Sequence, residues 1–266
     1  MGPPPSGGGG GGSSCTETDT ATNACGNDGS DYSYTETLDA DLRTITTSHC
    51  PNHKWISLNP NYPYIGSRTY KIPIRPNLMD SDTTSLVRFS PHSLTYSILT
   101  RTLHSNIKTQ QGGGVGVLLN GAMIYSAFAG GDSLATDYSN DYSNSAPALE
   151  GNTFDFSGQH GASTTSASWH AHVAPSLLLA QLNAKNDETS PQLGWMFDGF
   201  PVYGPRGPDG VMLTRCSESS PSTPCLDECN GLSGSWTLSD GTTDGYNYRY
   251  FITGPYVETK NYTSFI

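Results

Sequence analysis

The sequence predicts an all-β protein: a sandwich or jelly-roll-like domain with one short helix and an extended N-terminal arm. Three observations carry that expectation. The 266 residues include 30 Gly, 18 Pro and 15 Tyr, residues of turns and of pleated, half-buried surfaces. Two apolar segments, VGVLLNGAMIY and LGWMFDGFPVYG, fold back at Asn120-Gly121 and Asp198-Gly199, dipeptides suited to tight hairpins. Only PSLLLAQLNAK has helical spacing, with Pro175 opening the helix and Leu177, Leu178 and Leu182 facing the core.

Taken in order, residues 1–14 form a low-complexity Pro/Gly/Ser tail. Such a segment has no apolar area to offset the entropy of ordering a glycine run. Order there would come from an adjoining copy or an attached sugar, or from the tail lying on its own domain. Residues 15–47 are Thr-, Asp- and Tyr-rich and read as an extended arm, with Leu42, Thr44 and Thr46 on one strand face. An arm of this kind can complete a sheet in a neighbouring copy, with Tyr32, Tyr34 and Leu42 as anchors. Residues 48–266 form the β domain proper, in which TDYSNDYSNSAPALEGN is a polar surface loop.

The composition also excludes partners. A net charge of −11 with only 13 Lys plus Arg repels a phosphate backbone, so nucleic acid is not expected. No apolar stretch reaches the length of a membrane-crossing helix, so no transmembrane segment is expected. Six cysteines, Cys15, Cys25, Cys50, Cys216, Cys225 and Cys229, lie in Ser/Thr/Gly-rich sequence. They read as disulfides of an extracellular or cell-surface protein, with fifteen pairings open. The Cys225-x-x-x-Cys229 spacing lacks the second close pair a zinc knot needs. No apolar leader follows Met1, so export implies either that a leader has been removed or that Met1 is not the natural start.

The order of HCPNHKW, GVGVLLNGAMIY, FDFSGQHGASTTSASWHAHVAPSLL, LGWMFDGFPVYGPRG and LDECNG resembles the YHYH-domain family. These are mostly secreted or surface β domains named for a Tyr-His-Tyr-His signature and largely without an assigned activity. The likeness runs over about residues 49–255. The first signature becomes Trp169-His170-Ala171-His172 and keeps both histidines. The second corresponds to Tyr246-Asn247-Tyr248-Arg249 and keeps neither.

In an extended strand His170 and His172 project to one face with Cβ atoms about 6–7 Å apart, within reach of one ion. His160 is the candidate third ligand of a divalent transition metal, and Asp198 or Asp155 a fourth ligand or an outer partner. The alternative is that the histidines only hydrogen-bond to backbone or loop carboxylates. If the family binds metal through both signatures, Asn247 and Arg249 in place of the second pair remove two neutral nitrogens and add a fixed positive charge, which lowers affinity. Asp198, ahead of Gly199, reads as a turn residue bonding its own backbone. His49 and His53 flank Cys50-Pro51-Asn52, a turn tied down by a disulfide. No catalytic residue and no nucleotide-cofactor fingerprint emerges.

Asn261-Tyr262-Thr263 fits an N-glycosylation acceptor, and Pro3-Pro4-Pro5-Ser6 resembles O-glycosylated stalk sequence. Two functions follow as expectations. One is an extracellular structural glycoprotein whose arm engages the next copy to build a homopolymeric filament. The other is a secreted metal-binding protein using the His-x-His motif.

Overall fold

Both expected hairpins form, and each turns through three residues. The structure, a computed structural model, describes residues 24–55, 61–76, 114–125, 146–162, 168–214, 216, 224–227 and 229–253. Strands β4 (Gly116–Leu118) and β5 (Met123–Ile124) are joined through Leu119-Asn120-Gly121, closed by Leu118 N–H to Ala122 O at 2.8 Å. Gly121 sits at φ 78°, the left-handed position that ends such a turn. Strands β8 (Gln192–Met196) and β9 (Pro201–Tyr203) turn through Phe197-Asp198-Gly199 in the same way, with Gly199 at φ 104°.

The N-terminal half supplies a three-stranded antiparallel sheet, β1 (Tyr34–Leu38), β2 (Leu42–Thr47) and β3 (Arg68–Pro73), in that order. Residues 24–47 are therefore not a separate arm: they pair and pack within their own chain. Leu42, Thr44 and Thr46 do share a face, but the buried face is that of Arg43, Ile45 and Thr47. Ile45 is completely covered. Tyr32 donates its hydroxyl to Leu119 O (3.3 Å), and Tyr34 packs on the core.

The second sheet has eight strands in the order β10-β11-β9-β8-β4-β5-β7-β6, where β6 is Gln159–His160, β7 His170–Ala171, β10 Gly231–Ser233 and β11 Tyr248–Phe251. The pairs β5-β7 and β9-β11 are parallel, the rest antiparallel. Ile45, Tyr70 and Ile72 of the small sheet meet Val117, Met123 and Trp195 of the large one, which makes the sandwich core. Arg43 lies 3.4 Å over the Trp195 ring and pairs with Glu36.

On the opposite face the predicted helix, α2 (Ser176–Gln181), buries Leu178 and Leu179 against Leu118, Ile124, Trp169 and Leu193. Pro175 caps it as expected, while Leu182 is only partly buried. A register shift between Gln192 and Gly194 lets Leu193 join this core and Trp195 the other. A second helical turn, α1 (Ala146–Leu149), occupies the end of the stretch expected to be a plain loop.

Two disulfides form, Cys25–Cys50 and Cys216–Cys225. The first anchors the turn that holds His49 and His53. Cys229 is exposed, and Cys15 lies outside the described residues, as do Pro3, Pro4, Pro5, Ser6 and Asn261. Among the described residues no helix is long and apolar enough to cross a membrane.

Candidate metal centre

The site begins with a turn. Asp155 Oδ1 accepts Ser157 N–H (2.9 Å) and Gln159 N–H (3.0 Å), and Gly158 at φ 79° completes the reversal that delivers β6. Asp155 Oδ2 accepts from His53 Nε2–H at 2.8 Å, so the N-terminal segment holds this turn from behind. Trp169 Nε1–H donates to Gln159 Oε1 (3.2 Å), which ties β6 to the strand carrying the His-x-His motif.

Strand pairing then sets the cluster. His160 and His170 are direct partners across β6 and β7, and Ala171, on the other face, is buried in the helix-side core. His170 and His172 flank Ala171 and share the site's face, with their Nε2 atoms 3.0 Å apart. Glu150, following α1, brings Oε2 to 3.4 Å from both His160 Nε2 and His172 Nε2. One ligating atom from each of Glu150, His160, His170 and His172 lies within 4.8 Å of all the others.

Thus the three predicted histidines converge, and the fourth member is Glu150 rather than Asp198 or Asp155. Asp155 is consumed by its turn and His53. Asp198 accepts Phe200 N–H (3.2 Å) and Tyr250 O–H (2.6 Å), the turn role read from sequence. Sequence offered little to single out Glu150: one acid in a polar stretch, ten residues before His160.

The tautomers can be read from the partners. Ser168 O lies 2.7 Å from His170 Nδ1 and can only accept, so Nδ1 donates and Nε2 keeps its lone pair. Thr153 Oγ1 gives its hydrogen to Glu150 O at 2.6 Å and so accepts from His160 Nδ1 at 2.8 Å. His160 Nε2 therefore points a lone pair toward a carboxylate oxygen, and it is buried without a hydrogen bond. Lone pairs aimed at one another repel unless a proton or a cation lies between them.

Burial, followed by repulsion from His172, draws the His160 pKa down to about 4, with Asp155 opposing. Burial and then the neighbouring His160 and His172 hold His170 well below the usual imidazole range. Both are thus neutral, ligand-competent imidazoles at neutral pH. Aromatic walls fix the rings. Tyr125 stacks on His170 at 3.8 Å between centroids, and Phe154 meets His160 edge-on (4.8 Å) and lies parallel to His172 (6.0 Å).

His49 and Arg249 lie apart from this cluster. His49 Nε2 is 2.7 Å from the Tyr70 hydroxyl, and burial brings its pKa to about 3. Arg249 is fully buried on β11 and makes a double hydrogen bond to Asp244 (2.8 and 3.1 Å). Strand β11 is separated from β7 by β9, β8, β4 and β5, about 24 Å at the spacing of paired strands. The guanidinium charge is met by Asp244 and does not bear on the histidines. The expected loss of metal affinity through Arg249 has no geometric basis.

Residues 96–220, with the His-x-His strand inside them, match the family described as YHYH protein. Over this segment the chain is similar to YHYH proteins. The matched YHYH segment contains all four clustered residues, whereas the stretch around Tyr246–Arg249 falls outside it. No curated protein and no solved structure matches the chain.

Proposed function

We propose that the chain is a secreted metal-binding YHYH protein that holds one divalent transition-metal ion through His160, His170 and His172 Nε2 and a Glu150 carboxylate oxygen. The observation that carries this reading is the buried His160 Nε2, whose lone pair faces Glu150 Oε2 with no proton donor to satisfy it. Two of the separations suit an ion. Two donors about 2.1 Å from a common centre, at a tetrahedral angle, stand roughly 3.4 Å apart, the separation from Glu150 to each of two histidines. Three imidazoles and one carboxylate suit Zn²⁺, Cu²⁺, Co²⁺ or Fe²⁺ and disfavour Ca²⁺ and Mg²⁺, which prefer all-oxygen sets. Elemental analysis of protein purified without chelator should give one ion per chain, and the His170→Ala/His172→Ala pair none. A wild type with far less than one ion per chain, after exposure to these metals, removes the reading.

The two disulfides support an extracellular or cell-surface location, where oxidised cysteines persist. Glycosylation at Asn261 and around Ser6 goes with that location.

A homopolymeric filament is the second reading. The observation favouring it is β1, at the edge of its sheet with Thr35 to Leu38 exposed, a strand that could take on a partner strand. It is the weaker reading because Tyr32, Tyr34 and Leu42, its anchors, are engaged within their own chain. Particle size at high concentration, with and without residues 1–23, tests it; discrete single chains in both cases remove it.

A further inference from the structure

The four clustered residues are not equally accessible. His160, His170 and His172 are 6 %, 1 % and 8 % exposed, whereas the Glu150 side chain is 27 % exposed. Behind the imidazoles lie strands β6 and β7 and the core under Ala171, and beside them Tyr125 and Phe154. Glu150 is flanked by Leu149 and lies in the same loop region as Phe156, both about half exposed at 52 % and 51 %. Immediately after it, a Cβ placed on Gly151 would meet no atom within 4 Å, so the backbone beside the carboxylate borders open space.

Three neutral imidazoles and one carboxylate leave a bound divalent ion with a net charge of about +1. Three histidines suffice to hold a first-row ion with a fourth position open to exchange, and among the described residues the donor at that position, Glu150, is the most exposed of the four. We infer that the centre keeps a coordination position on its Glu150 side and that this position takes a small anion with an oxygen or nitrogen donor. The inference rests on the metal reading above. Glu150 is then the exchangeable member: its carboxylate competes with the anion, while the histidines hold the ion. Leu149, the residue before Glu150 and half exposed, is where an added charge would act on the incoming anion.

Co²⁺ and azide test this, because the visible bands of Co²⁺ report coordination number. Azide should shift the bands of the Co²⁺-loaded wild type, and Glu150→Gln should bind azide roughly tenfold more tightly, as expected when a competing donor is weakened. Leu149→Lys at the rim gives a second measurement that leaves every ligand in place: azide affinity should rise a few-fold, about what one added rim charge supplies, with Co²⁺ affinity unchanged. If Co²⁺ is held one per chain yet azide alters neither the wild type nor Leu149→Lys, the site is closed and the inference falls. Azide binding to the wild type that neither variant changes places the opening elsewhere and also overturns it. If the wild type takes up no Co²⁺, it is the metal reading that fails, and this inference with it.

Discussion

His170 and His172 meet through their Nε2 atoms at 3.0 Å, although one residue of strand separates them. Side chains on one face of a strand start about 6–7 Å apart, so the two rings lean together. They are held there by Tyr125 on one side and Phe154 on the other. Such a convergence suits the shared ion proposed above.

Thr153 does not touch the ion's position but fixes the tautomer of His160. Thr153→Val removes the acceptor at Nδ1 and frees the ring to flip. Metal affinity, measured by competition with a chelating dye, should fall about 10–100-fold. The unfolding midpoint should move little. An unchanged affinity would show that the hydroxyl has no part in orienting His160.

Arg249 and Asp244 form a pair with side chains 0 % and 5 % exposed. Arg249→Met leaves a carboxylate buried without its counter-charge, a change that costs about 3–5 kcal/mol. Denaturant unfolding should show this loss, while folded variant protein retains one ion per chain. Loss of metal without loss of stability would contradict the separation of β11 from the histidine strands.

The His49 imidazole, depressed to about 3 by burial, makes stability depend on acid. Above pH about 6.5 the ring is neutral in both states and adds no pH dependence. Below that the unfolded chain takes up a proton that the folded chain refuses, so stability falls by up to about 1.4 kcal/mol per pH unit until the folded value near 3. His160 and His170 have the same sign. His49→Asn tolerates the φ of 60° at this position. It should flatten the pH slope of urea unfolding between pH 6 and 4 by roughly one proton.

Gly121 combines a left-handed φ of 78° with close contact to Thr47, whose hydroxyl a Cβ would strike. Gly121→Ala should lower stability by about 1–3 kcal/mol. Thr47→Ala/Gly121→Ala, which removes that hydroxyl, should recover little, since the backbone strain persists.

What could be read from the sequence was local. Asn120-Gly121, Asp198-Gly199 and Pro175 each encode their own turn or cap within a few residues, and each is where it was expected. The convergence of His160, His170 and His172 was legible from residue type and the two-residue strand period. Glu150 was not, because its place depends on how α1 lies against β6 and β7, a contact that no local pattern encodes. The same holds for β1 and β2. Their Thr-rich alternation announces strands but not the partner, and the partner proved to be β3 of the same chain, secured by Ile45 and by Cys25–Cys50.

The His53–Asp155 hydrogen bond joins residues ahead of the family-matched segment to the turn that delivers His160. A fragment trimmed to residues 96–220 would lose that imidazole, the covalent tie that steadies it and the small sheet over Trp195. The described residues 24–55 and 61–76 are thus scaffolding for the histidine corner, and dissecting the protein at the edges of its recognisable region would dismantle what makes that corner rigid.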